Sequence, residues 1–146
     1  LPFVSYDTHS ENMEEETLDL AGKRILVAED NDLNLEIAKT ILESYQIKVD
    51  EARDGQEAFD KFISSDAGYY NLILMDIVMP NMNGLDATRK IRNSEHPDAE
   101  TIPILAMSAN AFEEDRKRSL SMGMNAHISK PVNVAELELY LKQYMK

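Results

Sequence analysis

The sequence contains no cysteine. Disulfides, thiol chemistry and thiolate metal sites are therefore excluded, and a reducing compartment suits the chain. Base is scarce as well: 15 lysines and arginines face 27 acids, a formal charge of -12. Such a surface repels nucleic acid, and no stripe of Lys and Arg interrupts it, so no nucleic-acid partner is expected. It favours cations instead. No apolar run approaches the length of a bilayer span, and no basic-then-apolar leader opens the chain, so no membrane contact by this chain itself is expected. The histidines His9, His96 and His127 are scattered and lack zinc spacing. There is no internal repeat and no low-complexity tract.

What is present fits one domain, since 146 residues can bury a core without staples. Residues 1–22 read as an acidic linker or tail: Asp7, Glu11, Glu14, Glu15, Glu16 and Asp19 stand there with no base before Lys23. From Lys23 to Lys146 the rhythm is that of a folded domain. Ile25 to Ala28 predicts a strand, ended by Glu29 and Asp30. A helix over about Asp32 to Tyr45, capped by Asp30 or Asn31, carries Ile37, Ala38, Ile41, Leu42 and Tyr45 at helical spacing. Lys48 to Ala52 predicts a second strand and Gln56 to Ser65 a second helix. Leu72 to Met75 is the third strand, with a helix after Gly84 turning Leu85, Thr88 and Ile91 inward. Ile102 to Met107 and Ala126 to Ser129 complete the strands. A helix over Ala111 to Met122, closed by Gly123, lies between them, and a last helix is marked by Val134, Leu137, Leu141 and Tyr144. Five strands alternating with five helices predict an α/β, doubly wound, flavodoxin-like parallel sheet.

In such sheets ligands bind at the carboxyl ends of the strands. Here those ends carry Glu29 and Asp30, then Asp76, Ser108 and Lys130. Three carboxylates in one crevice repel each other, and a hard cation such as Mg2+ removes the conflict. Lys130 adds a fixed positive charge and Ser108 a hydroxyl. Together they suit a phosphoryl group, with one carboxylate as nucleophile.

Four motifs stand in order: ILVAEDN, LILMDIVMPNMNG, ILAMSAN and HISKP. With them the chain from about Lys23 to Met145 resembles the response-regulator receiver domains of two-component signalling. The segment AMSANAFEEDRKRSLSMGMNAHISKPVN is most similar to receivers of hybrid sensor histidine kinases. The resemblance implies a phosphorelay function in which Asp76 is the phospho-acceptor, taking a phosphoryl group from phosphohistidine. It implies Mg2+ held by Glu29, Asp30, Asp76 and the Val78 carbonyl. Lys130 would pair with the phosphoryl group, Ser108 would swing toward it, and the Ala109 N–H would help hold it. It also implies a cis Lys130–Pro131 bond. The implied partners are a histidine kinase phosphodonor domain and a histidine-phosphotransfer protein. The implied chemistry is a phosphoacceptor's, self-catalysed in both directions, within a cytoplasmic portion of a parent hybrid kinase that is membrane-anchored or not.

The sequence departs from the family at two places. His127 occupies the switch position where Tyr or Phe is usual, which weakens the aromatic switch or makes it pH-sensitive. Val78, two residues past Asp76, has no polar side chain to position water. Leu33 and Leu35 fall partly off the inward stripe of the first helix, near the crevice, and are candidates for docking a helical phosphotransfer partner. The opening LPF is similar to the end of a kinase ATP-binding domain, and the Leu start predicts a fragment. Rival readings are a stand-alone regulator, a haloacid-dehalogenase-type phosphatase and a flavodoxin-like cofactor binder. The phosphatase wants a second Asp where Val78 stands. The cofactor binder wants a Ser/Thr/Gly-rich loop where the sequence offers EDND.

Overall fold

Along the chain lie β1 (Arg24–Ala28), α1 (Asp32–Glu43), β2 (Lys48–Ala52), α2 (Gly55–Ile63), β3 (Leu72–Asp76), α3 (Gly84–Arg92), β4 (Ile104–Ser108), α4 (Glu113–Ser121), β5 (Ala126–Ser129) and α5 (Val134–Tyr144). The computed structural model describes residues 20–109 and 113–145. The tail reading of residues 1–19, with its LPF motif, and the expected start of the fourth helix at Ala111 lie outside the described residues. Leu20, assigned from sequence to the tail, is buried in the core.

The five strands are parallel, in the order β2-β1-β3-β4-β5. The sheet is five-stranded, parallel and doubly wound, as expected from sequence. β1, β3 and β4 are apolar on both faces because both faces are covered. One core cluster packs Leu35, Ala38 and Leu42 of α1 with Leu137 and Leu141 of α5 against the sheet. The other packs Ala58 and Phe62 of α2 with Leu85, Ala87 and Ile91 of α3. Each fully buried Leu, Ile or Phe in these layers contributes about 1.5–3 kcal/mol of hydrophobic stabilisation. The chain leaves β1 toward β2, then returns past β1 to β3. The crevice at that reversal opens beside the carboxyl ends of β1 and β3.

Four helices begin with an Asn or Asp cap. Asn31, Asp54, Asn83 and Asn133 accept from the backbone N–H of Asn34, Glu57, Asp86 and Glu136, at 2.8–3.0 Å. Each side chain satisfies a donor that the first helical turn leaves open.

Some boundaries differ from expectation. β4 starts at Ile104, not Ile102, because Pro103 has no N–H for the ladder; its carbonyl still accepts from Ile73 at 2.9 Å. α1 stops at Glu43, and the chain turns at Gln46 with φ 65. β3 runs one residue further than the apolar pattern and includes Asp76. Val134 is exposed, since it directly follows the Asn133 cap, and Leu137 and Leu141 do the packing.

Candidate functional site

Asp76 is the last residue of β3, in register with Met107 of β4, and only 1% exposed. It sits in the ladder, and the Ile77 N–H still reaches the Met107 carbonyl at 3.0 Å. The chain then turns sharply back. The Gly84 N–H donates to the Ile77 carbonyl at 2.9 Å, and a Cβ on Gly84 would lie 2.1 Å from the Asp76 carbonyl oxygen. Only glycine permits that approach. This is why the loop after Asp76 ends in Asn83-Gly84: the asparagine caps α3 and the glycine lets the helix start against the strand.

Glu29 follows β1 and is wholly buried, while Asp30 beside it is exposed. The Glu29 N–H donates to the Ala52 carbonyl at 2.9 Å. Its carboxylate accepts from the Asn31 N–H at 3.1 Å. Lys130, just past β5, reaches both buried acids, with Nζ 3.0 Å from Asp76 Oδ2 and 3.3 Å from Glu29 Oε1. The Lys130–Pro131 peptide is cis.

One oxygen each from Glu29, Asp30 and Asp76 lies within 4.8 Å of the others. Burial pushes the Glu29 carboxyl up to about 7; the Asn31 N–H opposes this, the hydrogen bond and charge of Asp76 add to it, and Lys130 offsets part of it. Burial works against the charge on Lys130, but Asp76 and Glu29 outweigh it and hold its pKa above the ordinary lysine value. The set is thus three hard oxygen donors with one ammonium among them. Its chemistry fits Mg2+, and a divalent cation there would favour the charged form of every acid.

Ser108 ends β4, is buried, and lies in register with Ser129; its carbonyl accepts from the Lys130 N–H at 2.8 Å. Ala109 follows it and is exposed. Val78 lies in the loop after Asp76, its side chain 75% exposed and its N–H 3.3 Å from Asp76 Oδ1. His127 is buried in β5 opposite Ala106. Leu33, on the first turn of α1, is 69% exposed, but Leu35 is only 3% exposed and packs in the core. Leu35 is therefore not available for docking. It lies three residues before Ala38 and seven before Leu42, on the buried row that faces the sheet.

Sequence reasoning passed over Gly55. Its N–H donates to the Met82 carbonyl at 2.8 Å, and a Cβ there would lie 2.5 Å from that same oxygen. Its contact with the loop after Asp76 joins two loops that only the fold brings together.

The family model for the response regulator receiver domain matches residues 25–142. Hybrid signal transduction histidine kinase L of Dictyostelium discoideum is 36% identical over 94% of this chain, which spans 8% of that protein. The osmosensing histidine protein kinase SLN1 of Saccharomyces cerevisiae is 40% identical over 83% of the chain, here 10% of the relative's length. Among solved structures, the receiver domain of a Pseudomonas aeruginosa sensor histidine kinase, with a magnesium ion coordinated in its active-site cleft, matches with TM-score 0.75. It is 35% identical, over 85% of this chain and 98% of that one. The receiver domain of the Saccharomyces cerevisiae regulator Ssk1, in complex with the histidine phosphotransfer protein Ypd1, is represented by a match at TM-score 0.73. That match is 28% identical, over 84% and 88% of the two chains.

Proposed function

Because this chain belongs to the response regulator receiver domain family, we propose that it accepts a phosphoryl group on Asp76 from the phosphohistidine of a kinase and relays it to a histidine-phosphotransfer protein. The observation that carries the reading is the Lys130 ammonium 3.0 Å from a buried Asp76, with Glu29 and Asp30 completing an acidic cluster. A buried carboxylate with a lysine at one oxygen and the other turned to the Val78 N–H is restrained for attack. An Asp76 oxygen forms the new O–P bond, the P–N bond of the donor breaks, and the imidazole leaves as the proton acceptor. Lys130 balances charge on the phosphoryl oxygens, and the Ser108 hydroxyl and Ala109 N–H hold them.

Glu29, Asp30, Asp76 and the Val78 carbonyl would hold Mg2+, which supplies the positive charge that this acidic crevice needs to take in a phosphoryl dianion. The exposed Val78 side chain is apolar and offers no polar group to position water beside the acyl phosphate. Residues 1–22 are read as a linker that joins the receiver core at Leu20, 23–146 as the receiver, and the parent as a hybrid histidine kinase with this part in the cytoplasm. No described helix is long and apolar enough to cross a membrane.

Intact-mass measurement after incubation with phosphoramidate tests the acceptor. The expected result is a Mg2+-dependent gain of one phosphoryl group, absent in Asp76→Asn. A gain that persists in Asp76→Asn refutes the assignment. Leu33 offers an exposed apolar contact on the first turn of α1 for the phosphotransfer partner. Leu33→Asp should slow transfer to such a partner while leaving phosphoramidate uptake unchanged, and equal transfer rates would remove Leu33 from the interface. Ser108 and His127 are the switch residues of this reading. Loading with beryllofluoride, followed by NMR, should shift both; a shift confined to Ser108 takes His127 out of the switch.

A further inference from the structure

The acid-bearing loops after β1 and β3 belong to different strands, and their spacing decides whether Glu29, Asp30 and Asp76 can serve one cation. A third loop, residues 53–55 after β2, touches both. On one side the Ala52 carbonyl takes the Glu29 N–H, and Arg53 pairs with Asp32, two residues past Asp30. On the other, the Gly55 N–H donates to the Met82 carbonyl at 2.8 Å, and Asp54 Oδ2 accepts from Asn81 Nδ2 at 3.3 Å. None of residues 53–55 reaches the carboxylate cluster itself.

These ties are unequal. The Arg53–Asp32 pair is exposed on both sides, and solvent screens such pairs so that they hold weakly. The Asn81–Asp54 bond is long for a hydrogen bond. Gly55 differs from both. It is buried, its N–H bond is short, and the absent Cβ would meet the Met82 and Asn83 carbonyl oxygens at 2.5 and 2.8 Å. Both oxygens are backbone, so neither can swing aside. A side chain at 55 must therefore push the segment that starts at Asp76 and ends at Gly84, and Asp76 and Val78 lie on that segment.

We propose that Gly55 is a positioning residue for the phosphoryl-accepting site, its backbone holding the loop after Asp76 at the separation from Glu29 and Asp30 that cation binding needs. The inference rests on the receiver reading of Asp76. α2 contributes no group to the chemistry; it acts through the backbone of residues 82 and 83. Supporting groups of this kind typically govern metal affinity by about 10–100-fold.

The test measures Mg2+ affinity by calorimetry and phosphoryl uptake from phosphoramidate by intact mass, on the full chain, for wild type and Gly55→Ala. Leu137→Ala, a cavity on the opposite face of the sheet, serves as a control for destabilisation alone; both variants are compared at a temperature where circular dichroism shows them folded. Gly55→Ala should bind Mg2+ about 10-fold more weakly and take up phosphoryl correspondingly more slowly, with Leu137→Ala at the wild-type values. Wild-type affinity in Gly55→Ala overturns the proposal, and so does an equal fall in Leu137→Ala, since that would make the effect one of stability. Should Gly55→Ala not fold, hydrogen exchange of the Gly55 amide in the wild type decides: Mg2+ should slow it several-fold if the bond to Met82 holds the loop for the cation. An exchange rate unchanged by Mg2+ counts against the proposal. A wild type that neither binds Mg2+ nor takes up phosphoryl overturns the receiver reading itself, which separates the two failures.

Discussion

Thr88 shows how a single residue can be placed correctly from sequence and still hold a cost that sequence does not reveal. Its spacing with Leu85 and Ile91 put it on the inward face of α3, and it is wholly buried there. Its Oγ1 has no hydrogen-bond partner. A buried hydroxyl left unsatisfied costs about 1–3 kcal/mol, and valine fills the same volume without it. Thr and Val also have similar helix propensities, so little is lost in the helix itself. Thr88→Val should raise stability by about 1 kcal/mol. Urea unfolding would show a higher midpoint at constant slope; a lower midpoint would mean the hydroxyl has a role in the native state. The same logic separates the acids. Asp76, Glu29 and Lys130 were legible because strand ends in this fold share one crevice. The wrong assignment of Leu35 arose because two leucines two apart on a helix cannot both be judged from a stripe: one faces solvent and the other the sheet.

Between elements, the lower ends of the strands are tied by a polar cluster far from the crevice. Arg24 of β1 pairs with Asp50 of β2 at 2.7 Å and lies over the Tyr69 ring, 4.6 Å from its centroid. The Tyr70 hydroxyl, just before β3, donates to the other Asp50 oxygen at 2.7 Å. Burial, and then the bond to Asp50, hold the Tyr70 phenol above its ordinary value of 10.0. An acid whose pKa is raised by folding keeps more protons in the folded state, so stability falls as pH rises past the unfolded value. The protein should therefore lose stability above about pH 10, and Tyr70→Phe should flatten that loss while costing about 1 kcal/mol at neutral pH. Melting temperatures from pH 8 upward check it; parallel curves for the two proteins would clear Tyr70 of the effect. The strands joined here were legible from their apolar runs. The cluster was not, because Arg24, Asp50 and Tyr70 are scattered in the sequence and meet only through the β2-β1-β3 order. Gly55 was missed for the same reason, since its neighbour at Met82 belongs to another loop.

At the scale of the whole molecule, charge links folding to the ligand. The chain carries -12 overall, and three of its acids converge on one crevice with Lys130 as the ammonium between the two buried ones. Folding brings those acids together, so a cation that binds only the assembled cluster must stabilise the fold. At 100 times its dissociation constant a single such ligand adds about 2.7 kcal/mol. For a domain of this size that is a rise in melting temperature of roughly 5–11 °C. Asp30 is exposed, unlike Glu29 and Asp76, so Asp30→Asn should leave the metal-free fold nearly intact while removing most of the Mg2+-dependent rise. Removing Mg2+ with a chelator should return wild type to the variant's melting temperature. Calcium would not substitute simply by charge, because its larger shell of 6–8 oxygens asks for more ligands than three clustered carboxylates and a carbonyl supply. Thermal melts across a Mg2+ titration decide the matter. A rise in wild type that is lost in Asp30→Asn ties the cation to this cluster. An equal rise in both proteins would place the stabilising ions on the general negative surface, where salt screens them.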